Sequence, residues 1–314
     1  MRVFRKNFIM SLIENILILL VVTFVFYSSQ SLSTQKTIYV PQGSITNIIS
    51  QLHKKGYEVS IIDRYILSFL GQPQSGWVDI GSTRLNRIDF LYKLATAKAK
   101  MEEITLIPGE TTVLFFEDIA ATLELNASKL QQFYNQDADY PEAGIYADTY
   151  YVPFGINEEQ LVTFLLKEST KQFQKISHKI YGTYDKKQWL RLLTVASIIQ
   201  KEAANVEEMP LVSSVIYNRL KKGMPLQMDG TLNYGKYSHI KVTPDRIRND
   251  KSRFNTYKYK GLPPSPIGAV SFDAIIAAIK PAQTDYLYFM KNKQGTHDFT
   301  KSYQTHRRNI LKAR

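Results

Sequence analysis

A long apolar run lies near the start of the chain. Residues 8–28, FIMSLIENILILLVVTFVFYS, are interrupted only by Glu14 and Asn15, and about 20 apolar residues are what a helix needs to cross a hydrocarbon core. No polar face recurs at helical spacing, which argues against a helix resting on a water-soluble core. Residues 29–37, SQSLSTQKT, are polar and read as a short linker clearing a bilayer. The period then changes. Thr37–Val40 reads as a strand, Pro-Gln-Gly as a turn, and Ser44 as the cap of a helix that puts Ile45, Ile48, Ile49 and Leu52 on one face before stopping at Gly56. Helical spacing recurs over residues 63–70 and 87–97, the latter with Phe90, Leu91 and Leu94 apolar. Residues 37–100 thus read as a small α/β unit.

From Ile104 the sequence gives a strand, a Pro-Gly turn and a helix with Phe115, Phe116, Ile119 and Leu123 at helical spacing. Residues 187–222 read as two helices interrupted near 205–210. At 100° per residue the first carries one apolar stripe of Leu192, Val195, Ala196, Ile199 and Ala203, flanked by Ile198. Glu202 falls inside that stripe, whereas Gln200 and Lys201 fall outside it. A carboxyl on a buried face has its pKa raised by desolvation, and a proton-holding Glu is what a general acid requires. The same position also suits a Glu paired with a buried cation, or one reaching water at the stripe's edge. Residues 223–235, GMPLQMDGTLNYG, form a turn-rich loop dense in short polar groups, which suits either a polar-ligand site or ordinary turn chemistry. Residues 286–299 read as a β-hairpin with its turn at 292–295. His297 and His306 have no metal-like spacing and read as structural.

Composition narrows the class. The 314 residues include no cysteine, which removes disulfides, thiolate metal sites and a cysteine nucleophile together. Lys and Arg number 40 against 28 Asp and Glu, a formal +12 that calls for an anionic partner. Arg2, Arg5 and Lys6 precede the apolar run and the next cation is Lys36, so the positive-inside rule puts the N-terminus in the cytoplasm. The run lacks a small-residue cleavage site and reads as an uncleaved anchor rather than a signal peptide. Residues 1–30 hold three cations and one anion, so +10 of the +12 lies beyond them, on the outer side. A nucleic-acid partner is thereby disfavoured, and cell-wall polymer and lipid remain. Fifteen of the 20 tyrosines lie from Tyr134 onward, a density that suits a cleft stacking on sugar faces as well as a core. No P-loop, GxGxxG, HExxH or GxSxG occurs.

Four separated stretches, ASIIQKEA (196–203), VIYNRLKKGMPLQMDGTLNYG (215–235), NTYKYKGLPPSPIGAVS (255–271) and YLYFMKNKQGTHDFTKSYQTH (286–306), resemble the endolytic murein transglycosylase family, the MltG/YceG-like proteins. The resemblance covers the chain from about Ile104 onward and implies an α+β fold with three parts. These are an N-terminal transmembrane helix (1–30), a linker and LysM-like subdomain (31–100), and a mixed α+β catalytic domain (101–314). It implies a lytic transglycosylase of the cytoplasmic membrane, single-pass and facing outward. Such an enzyme cuts nascent peptidoglycan between N-acetylmuramic acid and N-acetylglucosamine, leaves 1,6-anhydromuramoyl ends and so ends strand elongation. No cofactor or metal is implied; peptidoglycan synthases are plausible partners. The family's catalytic Glu, second acidic residue of its E-K-E motif, maps to Glu202; the first is Gln200 here. Asn218, Gln227, Asp229, Thr231 and Tyr234 are the candidates for holding glycan. Gly230 stands where the family usually has proline, Pro-Gly-Glu replaces Pro-Glu-Gly at 108–110, and Ala147 replaces a proline. A hydrolytic muramidase using Glu202 with Asp229, and a non-catalytic wall-binding scaffold, are the competing readings.

Overall fold

The computed structural model describes the backbone of residues 2–313 and the side chains of residues 8–312. The side chains of Arg2, Arg5 and Lys6, on which the expected topology rests, lie outside the described residues. Two compact units are present, one running to Glu102 and including Tyr151–Gly155, the other comprising Glu103–Tyr150 and the chain from Ile156 onward.

The first unit contains α1 (Arg2–Ser29), β1 (Ser31–Ser33), β2 (Thr37–Val40), α2 (Ile45–Lys54), α3 (Ile61–Leu70), β3 (Gly76–Asp79), β4 (Arg84–Asn86) and α4 (Arg87–Thr96). The apolar part of α1, Phe8–Ser29, has 22 residues, exposed from Phe8 to Phe26 and covered only at its end, where Tyr27 is half-buried and Ser28 buried; at 1.5 Å per residue it is about 33 Å long, enough to cross a membrane. Ser44 caps α2 as expected, its side chain accepting from the N–H of Asn47. Strands β2 and β3 pair antiparallel, Ile38 opposite Val78, and enclose α2 and α3 in the chain. Ile38, Ile48, Leu52, Leu67, Val78, Phe90 and Leu94 make the core.

The segment after α1 is not the free linker its composition suggests. β1 pairs antiparallel with β4, Leu32 opposite Leu85, and Leu32 is fully buried. One apolar residue between two serines is too short a signal for any periodicity, yet a three-residue strand needs only that one inward side chain.

The second unit contains β5 (Met101–Thr105), α5 (Thr112–Leu123), α6 (Ala127–Asp137), β6 (Thr149–Pro153), α7 (Glu158–Tyr181), α8 (Lys186–Glu202), α9 (Met209–Lys221), α10 (Pro244–Asn249), α11 (Phe272–Ile279), β7 (Tyr288–Lys291), β8 (His297–Thr300) and α12 (Tyr303–Ala313). The chain changes unit within β5 and again within β6. The protein is therefore mixed α+β, and among the described residues its strands form only two-stranded pairs. The expected hairpin is β7–β8, with Phe289 opposite Phe299. The expected helix break falls at residues 203–208, and Pro210 sits in the first turn of α9, where its missing N–H costs nothing.

Helix α8 is the axis of this unit, packed by α9 and α11. The expected stripe is buried from Leu192 to Ile199, whereas Ala203 is half-buried and already outside the helix; Leu193, Thr194 and Ser197 are buried too, so the helix is enclosed on nearly all sides rather than one. Its hydroxyls are satisfied internally. Thr194 donates to Leu190 O at 2.8 Å, and Ser197 donates to Thr194 O at 2.9 Å while accepting from the N–H of Ile267 at 3.1 Å. Against the end of this helix, residues 109–110 run backbone to backbone with 268–269. Gly109 N–H donates to Ala269 O and Ala269 N–H to Glu110 O. A Cβ on Gly268 would lie 2.7 Å from Gly109 O, so only glycine allows that approach.

Candidate active site

Glu202 is the last residue of α8, and the chain turns away at Ala203 with extended φ and ψ. Buried helix walls Ile198 and Ile199 precede it, and the residue itself is half-buried, opening on a cleft. Desolvation pushes the Glu202 pKa up to about 7; the N–H of Gly230 pulls it down and the charge of Asp229 adds to the rise. That N–H donates to Oε1 at 2.6 Å. The carbonyl end of α8 adds a further disincentive to negative charge there. One oxygen is thus committed as an acceptor, which leaves Oε2 to carry the proton.

Two clefts meet at this carboxyl. One, of about 360 Å³, is walled by Arg219, Gln227, Tyr257, Tyr288, Tyr303, His297 and His306. The other, of about 390 Å³, is walled by Lys201, Asn233, Ser238 and Lys241. Glu202 and Asp229 line both. The first cleft is aromatic and the second cationic. Asp229 is exposed and accepts from the Tyr257 hydroxyl at 2.6 Å; burial and that carboxylate together hold the Tyr257 phenol proton more tightly than usual. Lys201 donates to Ser238 Oγ at 2.8 Å, and burial lowers its pKa against the opposing pull of Glu110 and Glu142.

Of the five residues expected to hold glycan, Gln227 and Asp229 line a cleft. Gln227 has φ of 53°, a left-handed conformation that a side-chain-bearing residue keeps only when its surroundings impose it. Its N–H is held by Thr256 O at 3.1 Å. The other three face elsewhere. The Asn218 amide donates to Thr284 O at 2.8 Å and Tyr286 O at 3.0 Å, tying α9 to the approach of β7. The buried Thr231 hydroxyl donates to Met228 O at 2.7 Å and lies 2.9 Å from Thr256 Oγ1, bracing the loop from behind. Tyr234 stacks on Phe254 with ring centroids 4.3 Å apart.

The cleft also gathers residues that lie in the quoted stretches but of which no site role is expected. Arg219 is buried, its guanidinium donating to the carbonyls of Leu226 and Leu287, both at 2.6 Å, and lying 5.2 Å from the Tyr288 ring. Among the described residues it has no carboxylate partner. Its signal in the sequence is weak, an Arg one step past Asn218 on a helix. Tyr257, Tyr288 and Tyr303 belong to the tyrosine-rich half already noted. His297 is tied to Glu208, ring Nδ1 at 2.6 Å and N–H at 2.7 Å, and His306 stacks on Tyr288. Among the described residues no group of three or more His, Asp or Glu is placed to hold a metal ion.

A family model for YceG-like proteins matches residues 38–312. The chain belongs to the YceG-like family. Its relatives include the endolytic murein transglycosylase of Bacillus subtilis (strain 168), 33% identical over 177 residues, which are 55% of this chain and 48% of that protein. The endolytic murein transglycosylase of Streptococcus pneumoniae serotype 2 is 33% identical over 165 residues, 50% of this chain and 30% of that protein. The chain therefore spans about half or less of the curated relatives it matches. A crystal structure of a YceG-like protein from Listeria monocytogenes superposes with a TM-score of 0.58 at 26% identity, covering 87% of this chain and 97% of that one. Two departures from the family pattern now have a geometry. Gln200 accepts from the N–H of Ser271 at 3.2 Å, away from either cleft. Gly230, where the resemblance leads one to expect proline, supplies the N–H that Glu202 accepts.

Proposed function

We propose that this protein is a membrane-anchored lytic transglycosylase that cuts inside nascent peptidoglycan strands and thereby ends their elongation. The observation that carries the proposal is Glu202, a carboxyl with its pKa near neutrality at the junction of two open clefts. A chain-interior cut needs room for polymer on both sides of the acid, and a cleft on either side supplies it.

Glu202 acts alone as acid and then base. Its proton, on Oε2, passes to the glycosidic oxygen, and the N-acetylglucosamine 4-hydroxyl leaves. The muramoyl 6-hydroxyl oxygen bonds to C1 of the same sugar, and its proton returns to the Glu202 carboxylate. The nucleophile is tethered to the ring, so its effective molarity is high and no water is consumed. Arg219 and the tyrosines of the first cleft offer a cation and stacking faces to one side of the strand. Lys201 and Lys241 offer cations to the other, suited to the carboxylates of lactyl and peptide groups. α1 holds the enzyme in the cytoplasmic membrane with the catalytic unit outside, and the β2-α2-α3-β3 order supports a LysM-like reading of the first unit.

Glu202→Gln preserves the shape and the acceptor for Gly230 but cannot give a proton. Glycan strands incubated with this variant are expected to remain uncut by chromatography while its circular dichroism matches the wild type. Cleavage at the wild-type rate would remove Glu202 from the mechanism. The placement of Asp229 on both clefts favours one alternative, hydrolysis by two carboxylates, which differs in product.

A further inference from the structure

We propose that α3 is a second membrane contact, an apolar helix face lying in the outer interfacial layer of the bilayer that α1 crosses. The inference rests on reading α1 as a membrane anchor, and it starts at that helix's end. Tyr27 lies in the last turn of the apolar stretch Phe8–Ser29, at the margin of the hydrocarbon, where a ring with one polar end is favoured. Its hydroxyl lies 2.6 Å from Ser60 Oγ and donates to Asp63 Oδ1 at 2.9 Å, and the Arg87 guanidinium sits 4.4 Å from its ring. Ser60 is the N-cap of α3, and Asp63 closes its capping box. Asp63 is fully buried and paired with Arg87 at 2.7 Å. Gln30 alone separates α1 from β1, so no slack remains in the chain. The start of α3 is therefore fixed within hydrogen-bond reach of the point where the anchor leaves the lipid.

From that point α3 presents apolar side chains to its surroundings. Ile61 is 70% exposed, Ile62 53%, Tyr65 63% and Phe69 91%, all within about 100° of helix arc. Leu67 is buried against the core on the far side. A helix apolar on both its packed and its open face, with only Arg64 and Ser68 polar at one margin of the open face, presents little surface suited to water. Beside a lipid surface the same row is what an interfacial helix buries, about 5–10 Å into the headgroup and acyl boundary. The Arg64 guanidinium, 4.5 Å from the Tyr65 ring, adds a cation at headgroup level. The first unit is thereby seated on the membrane rather than hung from it.

The chain has no cysteine, so single introduced thiols report position. The full-length protein is reconstituted in phosphatidylglycerol-containing vesicles with an environment-sensitive fluorophore at Tyr65→Cys, Phe69→Cys, Leu19→Cys or Lys187→Cys. Quenching is read from acyl-brominated lipid and from aqueous iodide. Labels at 65 and 69 are expected to lose most of their emission to the brominated lipid and little to iodide, as at 19 and opposite to 187. Iodide quenching at 65 and 69 with lipid quenching at 19 overturns the proposal and leaves the anchor standing. Absence of lipid quenching at 19 overturns the anchor and this proposal with it. Shielding from both quenchers at 65 and 69 identifies a protein partner or second copy there and overturns the lipid assignment.

Discussion

In the proposed mechanism a single carboxyl gives the site its chemistry, and its environment has consequences that can be measured. With a pKa of about 7, Glu202 is near its midpoint at neutral pH, able both to donate a proton and to take one back. Catalysis by the protonated form predicts that kcat/KM falls as pH rises through about 7. The Gly230 N–H favours the ionised form, so Gly230→Pro, which deletes it, is expected to move that alkaline limb to higher pH. An unmoved limb would mean that the bond does not act on the acid. The same shift bears on stability. Because the folded pKa is raised from 4.5 to about 7, the native state binds more protons than the unfolded chain between those values. Stability from this group is present below the lower value and is lost as pH rises through the upper. Glu202→Gln cannot ionise and leaves this linkage, so its thermal midpoint should exceed the wild type's at about pH 8 and match it at about pH 4. Differential scanning calorimetry at the two pH values checks this.

At the scale of elements, what was legible in the sequence is what depends on local spacing. The Ser44 cap, the break before Pro210, the β7–β8 hairpin and the position of Glu202 on α8 were all readable from neighbours within a few residues. What was not legible depends on groups distant in the chain. Thr194 and Ser197 look polar to a periodicity count, yet each bonds a helix carbonyl and can be buried. Whether Thr231 or Gln227 faces the cleft is decided by backbone direction in the loop, which residue type does not reveal. Arg219 is recognisable only once α9, the loop at 225–226 and β7 are brought together. It holds them through carbonyls of Leu226 and Leu287, so Arg219→Ala leaves one buried and one part-buried acceptor unpaired. A loss of roughly 1–3 kcal/mol for each unsatisfied group is expected in urea unfolding. Arg219→Lys, with fewer donors and no planar fork, should recover only part of it.

For the whole molecule, the basic balance and the missing cysteines acquire a place. The +10 beyond residue 30 includes the cleft cations Lys201, Arg219, Lys241 and Lys291, which suit a carboxylate-bearing glycan. Thiol chemistry has no part in the proposed reaction, which one carboxyl runs. The family and the anchor-like helix were legible from motifs and an apolar run. The tying of that helix to the first unit through Tyr27, Asp63 and Arg87 was not, because it links residues far apart in sequence. The central claim, one acid and an internal nucleophile, is tested most directly by digesting purified glycan strands in ¹⁸O-labelled water and weighing the products. The account predicts 1,6-anhydromuramoyl ends, one water lighter than hydrolytic ends and free of ¹⁸O. Reducing ends carrying ¹⁸O would contradict it and make Asp229 the partner of Glu202 in a hydrolase.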